Sequence, residues 1–186
     1  TIDTKLDLAS LTKIVGTTAA LLHLIEFGEL QVTDVASKYL TSWRGTDKAE
    51  ITIAELLSHQ SGLAEWRPLY FTDNLQADVA EQISRISLSY SRNSGRRYSD
   101  LGFISLGEIV KAITQKDLAT AFAELVFNPL GMQNTSFGPI AGEVAATSKG
   151  DWYEKRMVAT NTPYEVNLDI AAFPNWREEY LVGQTN

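Results

Sequence analysis

The apolar positions of this chain fall at helical spacing along most of its first three-quarters. Leu8 to Phe27 reads as one long helix closed by Gly28, which suits the left-handed residue that follows a helix. On a wheel of about 100° per residue, Ile14, Thr17, Leu21, Leu24 and Ile25 gather on the face that holds Ser10. Lys13 sits at the edge of that face, while Thr12, Gly16, Ala19 and His23 lie opposite. A helix apolar on most of its circumference is expected to be central, with Lys13 partly buried. Burial by itself disfavours an ammonium and lowers its pKa.

Further along, Thr33 to Leu40 predicts a short helix capped by Thr33 or Asp34, and Thr52 to Ser58 another capped by Thr52. Val79, Ala80, Ile83 and Ile86 give helical spacing to Gln76–Ile86. Ser89 to Arg97 is a polar loop. Two amphipathic helices follow, Asp100–Thr114 and Asp117–Phe127, the second ending before Asn128-Pro129. After Phe137 Gly, Pro and Ala punctuate the chain, and only Arg156–Ala159 and Tyr180–Val182 suggest strands. Residues 1–137 therefore read as a mostly helical region and 138–186 as an irregular one.

Composition narrows the chemistry. The 186 residues are 44% hydrophobic, enough for a sizeable core, and carry 16 Lys plus Arg against 23 Asp plus Glu, a net charge of −7. An acidic chain is a poor non-specific binder of nucleic acid. With no cysteine and only His23 and His59, thiolate catalysis and cysteine or histidine-rich metal sites are excluded, and no cofactor is expected. The uncharged run from Ile14 to Leu24 is well short of the ~20 apolar residues of a membrane span. No Gly-x-Ser-x-Gly elbow, P-loop or Gly-x-Gly-x-x-Gly occurs. Covalent chemistry is left to Ser, Thr, Lys, Tyr or a carboxylate.

Ser10 and Lys13 are the one Ser-x-x-Lys pair in the chain, three residues apart on the first helix. Both side chains point the same way one turn apart. Ser10 also lies in the first turn, where free N–H groups favour developing negative charge. An activated nucleophile needs that arrangement, although a helix-starting serine beside a snorkelling lysine has the same pattern. Tyr98-Ser99-Asp100 likewise reads either as a helix cap or as a tyrosine placed for acid–base work at a loop-to-helix junction.

Taken in order, four segments resemble the serine β-lactamase and penicillin-binding-protein superfamily, in its class C-like branch with related esterases and D-amino-acid peptidases. These are Asp7 to Lys13, Ile53 to Leu63 with Ser58-His59-Gln60-Ser61-Gly62, Tyr98 to Phe103 with Leu106 to Ile109, and Asn128 to Met132 with Thr135 and Phe137. The resemblance implies an α+β fold, of which this chain holds mostly the helical part and little of the antiparallel sheet. It implies Ser10 as acylated nucleophile, Lys13 as its base and Tyr98 as a second acid/base. The Ser10 N–H would form half of an oxyanion hole, Asp100 would face substrate, and His59 would be structural.

Two departures stand out. No Lys/His-Thr/Ser/Ala-Gly triplet follows Phe137, and both chain ends look cut, so the chain is expected to stop before that block. Asp100 stands where many members have Asn. A carboxylate only accepts hydrogen bonds, and paired with Lys13 it would keep the lysine charged and move base duty to Tyr98. Ester hydrolysis is then more comfortable than β-lactam hydrolysis.

The expectation is a serine hydrolase working through an acyl-enzyme on a small or peptide-like ester, amide or β-lactam. The alternatives are a penicillin-binding or sensor module that acylates without turnover, and an inactive fragment. Arg92, Arg96 and Arg97 suit either a carboxylate-bearing substrate or plain solvation. The resemblance tilts localisation toward the bacterial envelope or secretion; oligomeric state is not legible.

Overall fold

The computed structural model describes residues 3–67, 69, 78–137 and 143–146. They fall into two units, residues 10–66 with 78–137, and a smaller set from 3–9, 67, 69 and 143–146. In the smaller unit Lys5 and Val144 form a parallel bridge, with the Lys5 amide donating to the Glu143 carbonyl and the Ala145 amide to the Lys5 carbonyl. Both strand candidates, Arg156–Ala159 and Tyr180–Val182, lie outside the described residues.

The larger unit is helical. The expected first helix is broken into three kinds of turn: a 3₁₀ turn Ala9–Leu11, a π-helical segment Lys13–Thr18, and helix α1, Ala19–Glu26. Gly28, at φ +75°, ends it as expected. Its amide donates to Ile25 and the Glu29 amide to Leu24, the two-bond closure that needs a left-handed residue between them. The buried face of this stretch keeps Thr17, Leu21 and Leu24 of the wheel reading but differs at Gly16 and Ile14. Gly16, Thr17, Ala20, Leu21 and Leu24 turn inward, while Ile14 is 61% exposed. A π-helical turn holds more residues than an α-helical one, so wheel positions drift where it ends.

Helix α2 (Ile53–Leu57) carries a complete capping box: Thr52 accepts from the Glu55 amide and Glu55 accepts from the Thr52 amide. Helix α3 (Val79–Ser84) is capped by Asp78 and buries Ala80 and Ile83. Helix α4 (Asp100–Thr114) has the expected bounds, starts at the Ser99 cap and ends at Gln115 in the left-handed region. Helix α5 (Leu118–Phe122), capped by Asp117, runs on as a π-helical turn, Ala123–Phe127. The helix expected over Thr33–Leu40 is absent except for a 3₁₀ turn, Ala36–Lys38. Val35 is extended and bridges Thr52, and Ala36 donates to Ile51 at 2.7 Å, so pairing with a distant part of the same chain replaces the local helix.

α4 packs against α2, α3, α5 and the Lys13–Thr18 segment. It is therefore the hub of this unit, the place the sequence pattern assigned to the first helix. Leu101, Leu106, Ile109 and Val110 are fully buried on it, beside Leu56, Ile83 and Phe122. Trp43 is also fully buried and its indole N–H donates to the Ala80 carbonyl at 3.1 Å, which removes the penalty of an unpaired donor in the core.

Gly16 is where the first segment meets α5. A Cβ there would sit 2.3 and 2.5 Å from two ring carbons of the buried Phe122. Helix propensity favours Gly16→Ala by about 1 kcal/mol, but forcing a methyl into a filled core costs about 1–3 kcal/mol or more. At this closeness the clash prevails. Gly16→Ala is expected to lower the melting temperature by several degrees, at about 2–4 °C per kcal/mol for a chain of this size. An unchanged or higher melting temperature by calorimetry would refute the close approach.

Candidate active site

Ser10 is carried by the Ala9–Leu11 turn, just after Ala9, whose φ of +43° is unusual for a residue with a Cβ. The following π-helical segment starts at Lys13 and returns its side chain toward the serine: Lys13 Nζ donates to Ser10 Oγ at 3.2 Å. Tyr98 arrives from the end of the polar loop and places its hydroxyl 2.9 Å from the same Oγ. Its ring also lies under the lysine, with Nζ 5.0 Å from the ring centroid. Asp100, the first residue of α4, puts Oδ1 2.8 Å from Lys13 Nζ. Lys13 and Tyr98 thus meet on the Ser10 oxygen, and Asp100 joins the cluster through Lys13.

The Lys13–Asp100 contact is an ion pair by distance, and Oδ1 has no aligned hydrogen-bond donor at that buried position. Its effect on the lysine is clear in sign. Burial works to lower the Lys13 pKa, as the sequence suggests, yet the Asp100 carboxylate and Tyr98 outweigh it and hold the value above the ordinary lysine range. The desolvation that the sequence suggests is therefore not the deciding influence, and Lys13 is held as a cation beside Ser10. That is the outcome expected if Asp100 pairs with it.

The segment behind Tyr98 is tied down in detail. Glu55 accepts from Arg92 at 3.1 and 2.8 Å and from the Asn93 side-chain amide at 2.5 Å. Burial pushes the Glu55 carboxyl up, but Arg92 and the Thr52 donors more than compensate and its pKa falls. Arg97 lies 4.6 Å over the Tyr90 ring. Arg92 and Arg97 therefore serve the loop itself, which narrows the sequence suggestion of a three-arginine carboxylate site. Gly62, at φ +86°, stands where a Cβ would lie 2.6 Å from the Tyr90 carbonyl oxygen, so the Gln60-Ser61-Gly62 turn accepts only glycine at that point. The capping-box spacing of Thr52 and Glu55 was legible in the sequence; the pairing of Glu55 with Arg92 had no local signal.

Among the described residues no group of three His, Asp or Glu side chains is placed to hold a metal ion, and no helix is long and apolar enough to cross a membrane.

The family model described as Beta-lactamase matches residues 1–172. The chain belongs to the beta-lactamase family. Within it, the chain is 30% identical over 199 residues to an N-acetylmuramyl-L-alanine amidase of Bacillus subtilis (strain 168), covering 98% of this chain and 43% of that protein. Among solved structures it is similar to FmtA from Staphylococcus aureus, with a TM-score of 0.62 and 26% identity over 70% of this chain and 36% of that one. EstCE1, described as a hydrolase with promiscuous acyltransferase activity, gives a TM-score of 0.58 and 26% identity over 69% of this chain and 38% of that one. The chain spans less than half the length of the curated relatives it matches. The beta-lactamase-like fold expected from the four sequence segments is thereby shown.

Proposed function

We propose that the protein is a serine hydrolase that forms an acyl-enzyme at Ser10 on a small or peptide-like ester or amide. The observation that carries this reading is the convergence of Lys13 Nζ and the Tyr98 hydroxyl on Ser10 Oγ, at 3.2 and 2.9 Å. A serine that merely caps a helix has no need of a cation and a phenol on the same oxygen.

Roles follow from the charges. Lys13 is held protonated by Asp100, so it acts as a fixed positive charge and not as the proton acceptor. Acting as phenolate beside the Lys13 ammonium, the Tyr98 oxygen then takes the Ser10 proton as Oγ attacks the carbonyl carbon, and Lys13 stabilises the negative charge shared by the two oxygens. The same proton passes from Tyr98 to the leaving alcohol or amine when the tetrahedral intermediate collapses. In deacylation Tyr98 takes a proton from water as it attacks the ester of Ser10, and returns that proton to Ser10 Oγ as the acid leaves. The backbone N–H of Ser10 is assigned to the carbonyl oxygen in both halves.

The named activities of the Bacillus amidase and of EstCE1, an amide-cleaving enzyme and an acyl-transferring hydrolase, support acyl transfer as the chemistry. An extracytoplasmic or envelope location belongs to the same proposal and rests on the amidase's name and the sequence resemblance. The test is to treat the intact protein with a fluorophosphonate and map the product by mass spectrometry. The expected result is one adduct on the peptide holding Ser10, absent in Ser10→Ala. A label elsewhere, or none, would sink the reading.

A further inference from the structure

The resemblance gives His59 only a structural place, yet several of its contacts surround Tyr98. The residue follows α2 in the left-handed region, at φ +59°, and is largely buried. Its carbonyl accepts from the Arg97 amide at 2.9 Å and from the Tyr90 hydroxyl at 3.1 Å. Its ring nitrogen Nδ1 accepts from the Ser99 amide at 3.0 Å. The residues on both sides of Tyr98 thus hang from this one histidine. The imidazole also lies against the tyrosine, with ring centroids 4.7 Å apart, and against Phe103 of α4 at 5.1 Å.

The geometry points to His59 as a positioning residue for Tyr98: it receives the Ser99 amide on Nδ1, backs the phenol ring, and so holds the Tyr98 hydroxyl on Ser10. The inference rests on the proposed role of Tyr98 and adds a residue that touches neither substrate nor Ser10. Nδ1 can accept only while the imidazole is neutral, with its proton on Nε2. Protonation turns Nδ1 into a donor facing another N–H, and the bond to Ser99 is lost.

The charged and titratable groups that face the ring oppose that protonation on balance. Burial lowers the His59 pKa, Arg96 and Lys13 lower it further, and Asp100 only partly offsets them; Tyr98 and Tyr90 complete the surroundings. The sign follows from a folded value below the ordinary 6.5. The ring stays neutral in the folded protein as pH falls past the unfolded value. The hold on Tyr98 is then lost as pH drops through the folded value. An acid limb below the ordinary histidine range is the consequence.

Two substitutions suit the left-handed backbone and leave the His59 carbonyl in place. His59→Gly removes acceptor and ring; His59→Asn keeps an acceptor oxygen near the Nδ1 position. With p-nitrophenyl butyrate and the intact protein, His59→Gly is expected to lower kcat by about 10- to 100-fold, the effect of a modest misplacement of a reacting group. KM should change little, and His59→Asn should recover part of the loss and shed the acid limb. In a Tyr98→Phe background His59→Gly should have almost no further effect, because the hydroxyl it positions is gone.

An equal loss in both backgrounds would mark His59 as a general fold support and overturn the inference, as would wild-type kcat in His59→Gly. If Tyr98→Phe is itself as active as wild type, the role of Tyr98 fails and the inference fails with it. A large Tyr98→Phe effect beside a silent His59→Gly removes the inference alone.

Discussion

Ser10→Ala is expected to lower kcat for ester hydrolysis by about 10⁴- to 10⁶-fold, the range lost when a nucleophile is removed from a cooperating set. The size of this effect follows from the geometry. Lys13 and Tyr98 both bond the Ser10 oxygen, so neither retains a catalytic task once that oxygen is gone. Adding Lys13→Ala to Ser10→Ala should therefore change the rate little, although each alone is damaging. Fold stability is a separate matter. The Ser10 side chain is exposed and its partners keep their own ion pair, so the melting temperature should stay within a few degrees of wild type. Ester turnover in the purified variant, measured against the uncatalysed rate, decides. Retention of even a tenth of the wild-type rate would assign the nucleophile to another residue.

The second large effect is at Tyr98. Tyr98→Phe removes one oxygen and leaves the ring against His59 and under Lys13. If that oxygen only donated a hydrogen bond to Ser10, the loss would be about 0.5–1.5 kcal/mol, or roughly tenfold in rate at most. If it moves the proton, the loss is about 10²- to 10⁴-fold. The larger figure is expected, since Asp100 keeps Lys13 protonated and leaves no other acceptor at the serine. Both halves of the reaction should slow, so stopped-flow traces should show a slower acylation burst and a slower steady state. A loss of tenfold or less would return base duty to Lys13 and remove the proposed division of labour.

The candidate site was legible to an unusual degree because its parts sit in short, ordered blocks. Ser10 and Lys13 share one turn, and Tyr98 and Asp100 flank one helix start; spacing brings them forward as candidates, and the resemblance of four ordered segments implies their roles. The bounds of α4 were readable for the same reason: a serine cap, a clean apolar period and a polar stop agree with one another. Helix 33–40 failed because its competitor is non-local. The pairing of Val35 with Thr52 and of Ala36 with Ile51 joins positions about sixteen residues apart, and no window around Asp34 contains that information. The buried face of the first segment held at Thr17, Leu21 and Leu24 but missed Ile14 and Gly16, since the wheel presumes an α-helix where the chain takes a π-helical turn.

By itself the sequence put forward the candidate reactive groups: a chain without cysteine, one Ser-x-x-Lys pair, and a tyrosine at a helix start. It also set the resemblance that the family match bears out. The charge state of Lys13 was decided only in three dimensions. Desolvation, which sequence can suggest from an apolar helix, lowers a lysine pKa; a carboxylate at 2.8 Å raises it, and only the fold brings Asp100 there. The same holds for His59, whose ring nitrogen accepts from the Ser99 amide and whose ring lies against Tyr98. Electrostatic energies depend on distances of a few ångströms between residues tens of positions apart, and those distances belong to the tertiary structure.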